Sequence, residues 1–267
     1  MSKTAPADTF RSLHAGPRIL RLANGWDAAS ARLIESLGAP AVATSSAAVA
    51  WSHGYADGNH LPVDLLVQTI ADAARAVSIP LTADIEGGYS DDPALVEETI
   101  VRVIDAGAVG INIEDGGGAP EPLAAKIEAA RRAAERTGVP LFVNARTDVW
   151  LRKLAQGEAA VAEALRRAAI YREAGADGLF APGVVEASEI RNLVEGAGLP
   201  LNVMARPGLA PADDLEVLGV RRLSAATGLA HAALAALKTA AADFLETGDS
   251  NGLWARSDGT DYNALFR

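Results

Sequence analysis

The sequence predicts a (β/α)8 TIM barrel, an α/β fold, with a helical extension at its C-terminal end. Three observations predict it. A helix closed by glycine is followed at once by a short apolar strand, as in Asp105-Ala106-Gly107-Ala108 before Gly110-Ile111-Asn112-Ile113 and Glu173-Ala174-Gly175-Ala176 before Gly178-Leu179-Phe180. Eight such strands can be placed. The 267 residues match the roughly 250 that this barrel usually takes.

The strands fall at about 18–24, 41–46, 80–86, 109–115, 140–147, 177–181, 200–205 and 221–226. Glycine at each helix end suits a residue that must take positive φ. Helical spacing is clearest over Val63–Val77, Pro93–Ala106, Leu123–Thr137 and Glu158–Ala174. Strand–helix alternation with short connections implies a parallel sheet, and eight units imply closure. An open doubly wound sheet is the alternative, but Leu22-Ala23-Asn24-Gly25-Trp26 lacks the glycine-rich turn of a dinucleotide fold. A long Ala-rich helix spans about Leu229–Glu246, and the tail to Arg267 shows no core pattern of its own. The whole chain, 1–267, reads as one barrel domain. Met1 to Thr9 is polar, and its first few residues are expected to be mobile.

Composition removes several functions. There is no cysteine, which excludes disulfides, thiolate metal sites and a cysteine nucleophile. A net charge of −10 argues against nucleic-acid and anionic-membrane partners. No apolar run approaches the ~20 residues that span a bilayer, and the N-terminus lacks a signal-peptide core. The expectation is a cytoplasmic protein acting on a small anionic substrate.

Strands of a parallel barrel should read as continuous apolar runs. Here polar residues break them at their C-terminal ends: Asp84 and Glu86 on the third strand, Asn112, Glu114 and Asp115 on the fourth, Asn144, Arg146 and Asp148 on the fifth, and Asn202 on the seventh. Side chains alternate faces with period two, so Asp84 pairs with Glu86, Asn112 with Glu114 and Asn144 with Arg146. Active sites of this fold sit at that rim. Three crowded carboxylates stay ionised together only around a cation. Oxygen-only ligation by Asp84, Glu86 and Glu114 suits Mg2+, with Mn2+ as the other candidate; rim salt bridges to Arg146 are the structural alternative, and the better one for Asp148. After the second strand, Ser45, Ser46 and Ala47 offer hydroxyls and N–H groups to an anionic oxygen. Asp57 is a base, a nucleophile or a turn former. Tyr89 either hydrogen-bonds a ligand or packs over the rim.

These residues resemble the isocitrate lyase / phosphoenolpyruvate mutase superfamily over about residues 10 to 230. Its third-strand pattern is matched by Asp84-Ile85-Glu86-Gly87-Gly88-Tyr89, with glutamate in the second acidic place; its Glu-Asp pair by Glu114-Asp115; its arginine by Arg146; its anion-binding turn by Ser45-Ser46-Ala47; and its Gly-x-x-Asp loop by Gly54-Tyr55-Ala56-Asp57. The resemblance implies magnesium-dependent chemistry on 2-oxo acids through an enolate. Metal and Arg146 would then steady the developing charge. It also implies a homo-oligomer, dimer or tetramer, exchanging the segment 229–267. The lid motif of isocitrate and methylisocitrate lyases, with its cysteine acid, is replaced by Asp115-Gly116-Gly117-Gly118-Ala119-Pro120. The resemblance thus points to a lyase or decarboxylase that cleaves a C–C bond of a small 2-oxo acid or substituted malate, with Asp57, Glu114 and Arg146 as catalytic groups and Ser45, Ser46, Ala47, Tyr89 and Asn202 around the substrate. The alternatives are a phosphoenolpyruvate phosphonomutase or phosphonopyruvate hydrolase, and a barrel that binds a metabolite without turnover.

Overall fold

A computed structural model describes residues 4–267. Nine parallel strands alternate with helices: β1 (Leu20–Leu22), β2 (Asn24–Gly25), β3 (Val42–Thr44), β4 (Leu81–Asp84), β5 (Gly110–Glu114), β6 (Phe142–Arg146), β7 (Gly178–Phe180), β8 (Leu201–Met204) and β9 (Arg222–Ser224). The sheet runs β1-β9-β8-β7-β6-β5-β4-β3-β2. Its two ends, β1 and β2, are consecutive and separated only by Ala23, so the sheet returns on itself as a nearly closed barrel. The predicted first strand is therefore split. Its first half pairs with β9, in the register Leu20↔Arg222, and its second half with β3, in the register Asn24↔Ala43.

The surrounding helices follow from capping and apolar spacing. In α5 (Pro93–Ala106) the Asp92 side chain accepts from the Ala94 N–H, Pro93 opens the helix, and Gly107 closes it at φ 118°. Val96, Ile100, Val103 and Ile104 line its buried stripe, each stabilising the fold by roughly 1.5–3 kcal/mol. The others that matter below are α3 (Ser46–Ser52), α6 (Pro120–Thr137), α7 (Glu158–Glu173) and the long α10 (Gly228–Thr247). Only Ala230 of α10 is buried, while Leu234, Leu237, Phe244 and Leu245 are exposed. The tail packs on its own chain: α12 (Tyr262–Leu265) reaches back to α2 (Ala28–Ser36), where Arg32 Nε donates to the Leu265 carbonyl at 2.8 Å. No helix among the described residues is long and apolar enough to cross a membrane.

The expected mobility of the first few residues falls on Met1–Lys3, which lie outside the described residues. Thr4–Ala15 form a helix, α1, that the sequence reading did not place, and its Ala7, Phe10 and His14 are buried. It closes the N-terminal end of the barrel. His14 stacks on Phe142 with centroids 4.0 Å apart, and Phe10 meets the same ring edge-on at 5.6 Å. The approach is close enough that a Cβ at Gly110 would lie 2.8 Å from the Phe10 ring. Asp177 clamps this end. Its carboxylate accepts from Arg11 at 2.6 Å, from Arg131 at 2.9 Å and from the Val143 N–H at 2.8 Å.

Burial, aided by the nearby Arg222, lowers the His14 pKa to about 3. The ring is neutral in the folded protein and charges only on unfolding near pH 6.5. The unfolded chain thus binds more protons between those values, and stability is lost as pH falls from about 6.5 toward 3. Urea titrations from pH 7 to pH 4 should show that, relative to His14→Leu, the wild type loses additional stability toward acid, on the order of 1 kcal/mol per pH unit. An unchanged slope in that variant would count against His14 as the acid-sensitive group.

Candidate active site

Every strand delivers its last residues to the opposite mouth. Register pairing sets two rungs there. Asn112 lies beside Asn144, and the Asn144 Nδ2 donates to Asn112 Oδ1 at 2.9 Å. One step higher, Glu114 lies beside Arg146, and their side chains pair at 2.6 Å. Arg146 is also gripped along its edge by Asp148, Nε to Oδ1 at 2.7 Å and Nη2 to Oδ2 at 3.1 Å. Asp148 is fully buried and is a salt-bridge partner. Its N–H donates to Asp115 Oδ1, while Asp115 Oδ2 accepts from Arg167 and from the Tyr171 hydroxyl, each at 2.7 Å. Asp115 thereby ties the loops after β5 and β6 to α7. Its hydrogen bonds hold its pKa below the ordinary value despite burial.

A cavity of about 160 Å³ opens above these rungs. Ser45, Ser46, Ala47, Asp57, Asp84 and Arg146 line it, which brings together six of the predicted residues. Ser45 precedes α3 without capping it through its side chain, so its hydroxyl is not spent on the helix. Burial pushes the Asp84 carboxyl up to about 6 against the pull of Arg146. Burial likewise pushes Glu114 up to about 8, with Arg146 opposing and Asp84 adding to the rise. For Arg146, burial lowers the pKa, but Glu114, Asp148 and Asp84 together raise it. The mouth therefore holds more carboxyl groups than Arg146 can neutralise, and burial disfavours their ionisation.

The remaining predicted residues are placed differently. Strand β4 ends at Asp84, and Glu86 takes φ 51°, so the two do not share a face by alternation. Glu86 is buried and turned to the loop after α3. Its Oε2 accepts from the Gly58 N–H at 2.8 Å and from the Asn59 N–H, and its Oε1 from the Tyr89 hydroxyl at 2.9 Å. Left-handed backbone at Glu86 and Tyr89, φ 51° and 60°, costs on the order of 1 kcal/mol or more each. The carboxylate clasp offsets that strain. Tyr89 is thus spent on Glu86. Asn202 is fully buried below the cavity, donating to Val203 O and Ser224 Oγ. Among the described residues no three His, Cys, Asp or Glu side chains converge to hold a metal, so the trio Asp84, Glu86 and Glu114 forms no direct cage. Asp84 is the member of the trio that lines the cavity.

Other residues escaped the sequence reading. Leu151, Phe180 and Met204 line the cavity. Arg222 lies inside the barrel, donating to Asn112 Oδ1 at 3.2 Å and to Ser224 Oγ at 3.1 Å. Burial lowers its pKa to about 9, against the attraction of Asp84. The available signal was an arginine within a core strand, but Arg221 and Arg222 were equal candidates until the register was known.

The Glu86 clasp makes a prediction. Glu86→Leu keeps most of the volume but removes the acceptor of both backbone N–H groups. Hydrogen exchange at Gly58 and Asn59 should accelerate by at least about tenfold, the loss of ~1.4 kcal/mol of protection, with the barrel strands unchanged. Equal exchange in both proteins would show that the loop is held by something else.

The geometry finds its counterpart among known proteins. The family described as phosphoenolpyruvate phosphomutase matches residues 10–245. A crystal structure from Burkholderia cenocepacia J2315, provisionally named a phosphonomutase, superposes with a TM-score of 0.83 at 41% identity, covering 90% of this chain and 98% of that one. An uncharacterized protein of Mycobacterium tuberculosis is 35% identical over 221 residues, 81% of each chain. The 2-methylisocitrate lyase of Bacillus subtilis is 29% identical over 230 residues, 80% of this chain and 73% of the lyase. The chain belongs to the isocitrate lyase / phosphoenolpyruvate mutase superfamily of lyases and mutases.

Proposed function

We propose that the protein is a magnesium-dependent carbon–carbon lyase, releasing a pyruvate-type product from a small 2-oxo acid or substituted malate by way of an enolate. The observation that carries the choice of reaction is the connection after β5. Only Asp115 to Ala119 intervene between β5 and α6, too few to fold over the cavity. An enolate formed under an open mouth meets water and is protonated rather than recaptured. The 2-methylisocitrate lyase relative favours the same class of bond cleavage.

The residues fit a magnesium ion. The donors are all oxygen, Arg146 is the one cation in the lining, and Asp84 borders the cavity with its carboxyl raised in pKa by burial. Magnesium dehydrates reluctantly and commonly uses one or two carboxylates plus water, so Asp84 would hold it, with Glu86 and Glu114 behind. Bound there, it would supply charge neutralisation for a developing enolate. Arg146, fixed from two sides by Glu114 and Asp148, presents an oriented guanidinium to the same oxygens at no reorganisation cost. Ser45 and Ser46 bind the substrate carboxylate. Asp57, exposed on its loop and lining the cavity, takes up or returns a proton. The exposed apolar face of α10 favours packing against a second copy of the chain.

The test is formation of a pyruvate-type product from a panel of 2-oxo acids and substituted malates, with and without chelator. Activity should vanish in excess EDTA and return with Mg2+; full activity in EDTA rules out the metal role. Asp84→Ala and Arg146→Ala should each lower kcat by about 10²–10³, while Asp148→Asn, which loosens the grip on Arg146, should cost less. A phosphonomutase or phosphonopyruvate hydrolase is the second reading, favoured by the B. cenocepacia relative. Phosphorus NMR of phosphonopyruvate incubated with the protein separates them, since the lyase leaves the P–C bond intact.

A further inference from the structure

The cavity has a polar half and an apolar wall. Strands β3 to β6 and their loops supply Ser45, Asp57, Asp84 and Arg146; Leu151, Phe180 and Met204, just after β6 and at the ends of β7 and β8, supply the apolar wall, flanked by the uncharged hydroxyls of Ser224 and Thr227 at and after the end of β9. The one cation in the lining, Arg146, already contacts Glu114 at 2.6 Å and Asp148 at 2.7 Å. The arginines nearest the apolar wall in sequence do not line the cavity. Arg206 donates to the Gly183 carbonyl at 3.3 Å, and Arg152 lies 3.8 Å from Asp148. A second anionic group on a substrate would thus meet no further cation, only the apolar wall, uncharged polar groups and the carboxylates of Asp57 and Asp84. Burying an unpaired charge there is costly.

Resting on the lyase reading above, we propose that the substrate is a monoanionic 4-hydroxy-2-oxo acid whose departing fragment is uncharged. Its carboxylate and 2-oxo group sit in the polar half, and its C4 end lies against Leu151, Phe180 and Met204. The step is a retro-aldol cleavage. The C4 hydroxyl gives its proton to Asp57, whose carboxylate makes no ion pair or hydrogen bond among the described residues. The C4–O bond becomes a carbonyl, the C3–C4 bond breaks, and its electron pair forms the enolate of the 2-oxo acid. Protonation at C3 completes the balance, giving pyruvate and a neutral aldehyde or ketone. No oxidant, reductant or second substrate is needed.

The experiment compares pyruvate formation from 4-hydroxy-4-methyl-2-oxopentanoate, a monoanion, with that from oxaloacetate and 4-carboxy-4-hydroxy-2-oxoadipate, which carry further carboxylates. Each is measured with Mg2+ for the wild type and for Leu151→Arg. Leu151 is 37% exposed, so the substitution leaves the core intact while placing a cation on the apolar wall. The wild type should prefer the monoanion by at least tenfold in kcat/KM. Leu151→Arg should narrow or invert that preference by at least tenfold. A wild-type preference for either multiply charged substrate overturns the proposal and leaves the lyase reading standing. Absence of pyruvate from all three overturns both. A wild-type preference that Leu151→Arg does not move overturns the role of the apolar wall.

Discussion

The mouth of the barrel depends on the capture of one guanidinium. Arg146 is held by Glu114 from the neighbouring strand and by Asp148 two residues ahead. Asp148 is placed in turn by Asp115, and Asp115 by Arg167 and Tyr171 on α7. Two ion pairs, Arg167–Asp115 and Arg146–Asp148, are thus joined through the Asp148 N–H from the helical layer to the cavity. Breaking such a buried chain at one link strands a charge without a partner, which typically costs 3–5 kcal/mol. The same chain fixes the orientation of Arg146 before any ligand arrives, and this makes it useful to a reaction that develops negative charge.

This chain of linked ion pairs leaves Asp84 outside. Its neighbours use up the positive charge, and its own environment disfavours ionisation. The lining is thus acidic at one wall and apolar at the other. Only five residues connect β5 to the next helix.

Much of this was legible in the sequence. Charged residues at the ends of otherwise apolar strands identified Asp84, Glu114 and Arg146, and register pairing brought the last two together as alternation predicted. Alternation failed at Glu86 because the strand stops at Asp84 and a left-handed turn begins. It was silent on Leu151, Phe180 and Met204, since an apolar residue at a strand end looks the same whether it meets core or ligand. Arg221 and Arg222 differed only in parity, and β9 is too short to settle parity without its partners. The N-terminal helix was missed because its buried residues, Ala7, Phe10 and His14, are few and one is titratable. Their meaning appears only when Phe142 is set beneath them.

The seal at the barrel floor has a consequence for how the chain is made. Helix α1 is the first described element to be synthesised, yet its ring contacts are to Phe142, more than a hundred residues later. The helix must wait, with Phe10 and His14 exposed, until β6 has emerged and paired. Closure of such distant contacts is entropically slow, and waiting apolar surface invites association during synthesis. The barrel is thus completed from both ends of the chain at once. Its last strand pairs with its first, and its first helix closes over the middle, so neither half of the chain can complete the barrel before the other exists.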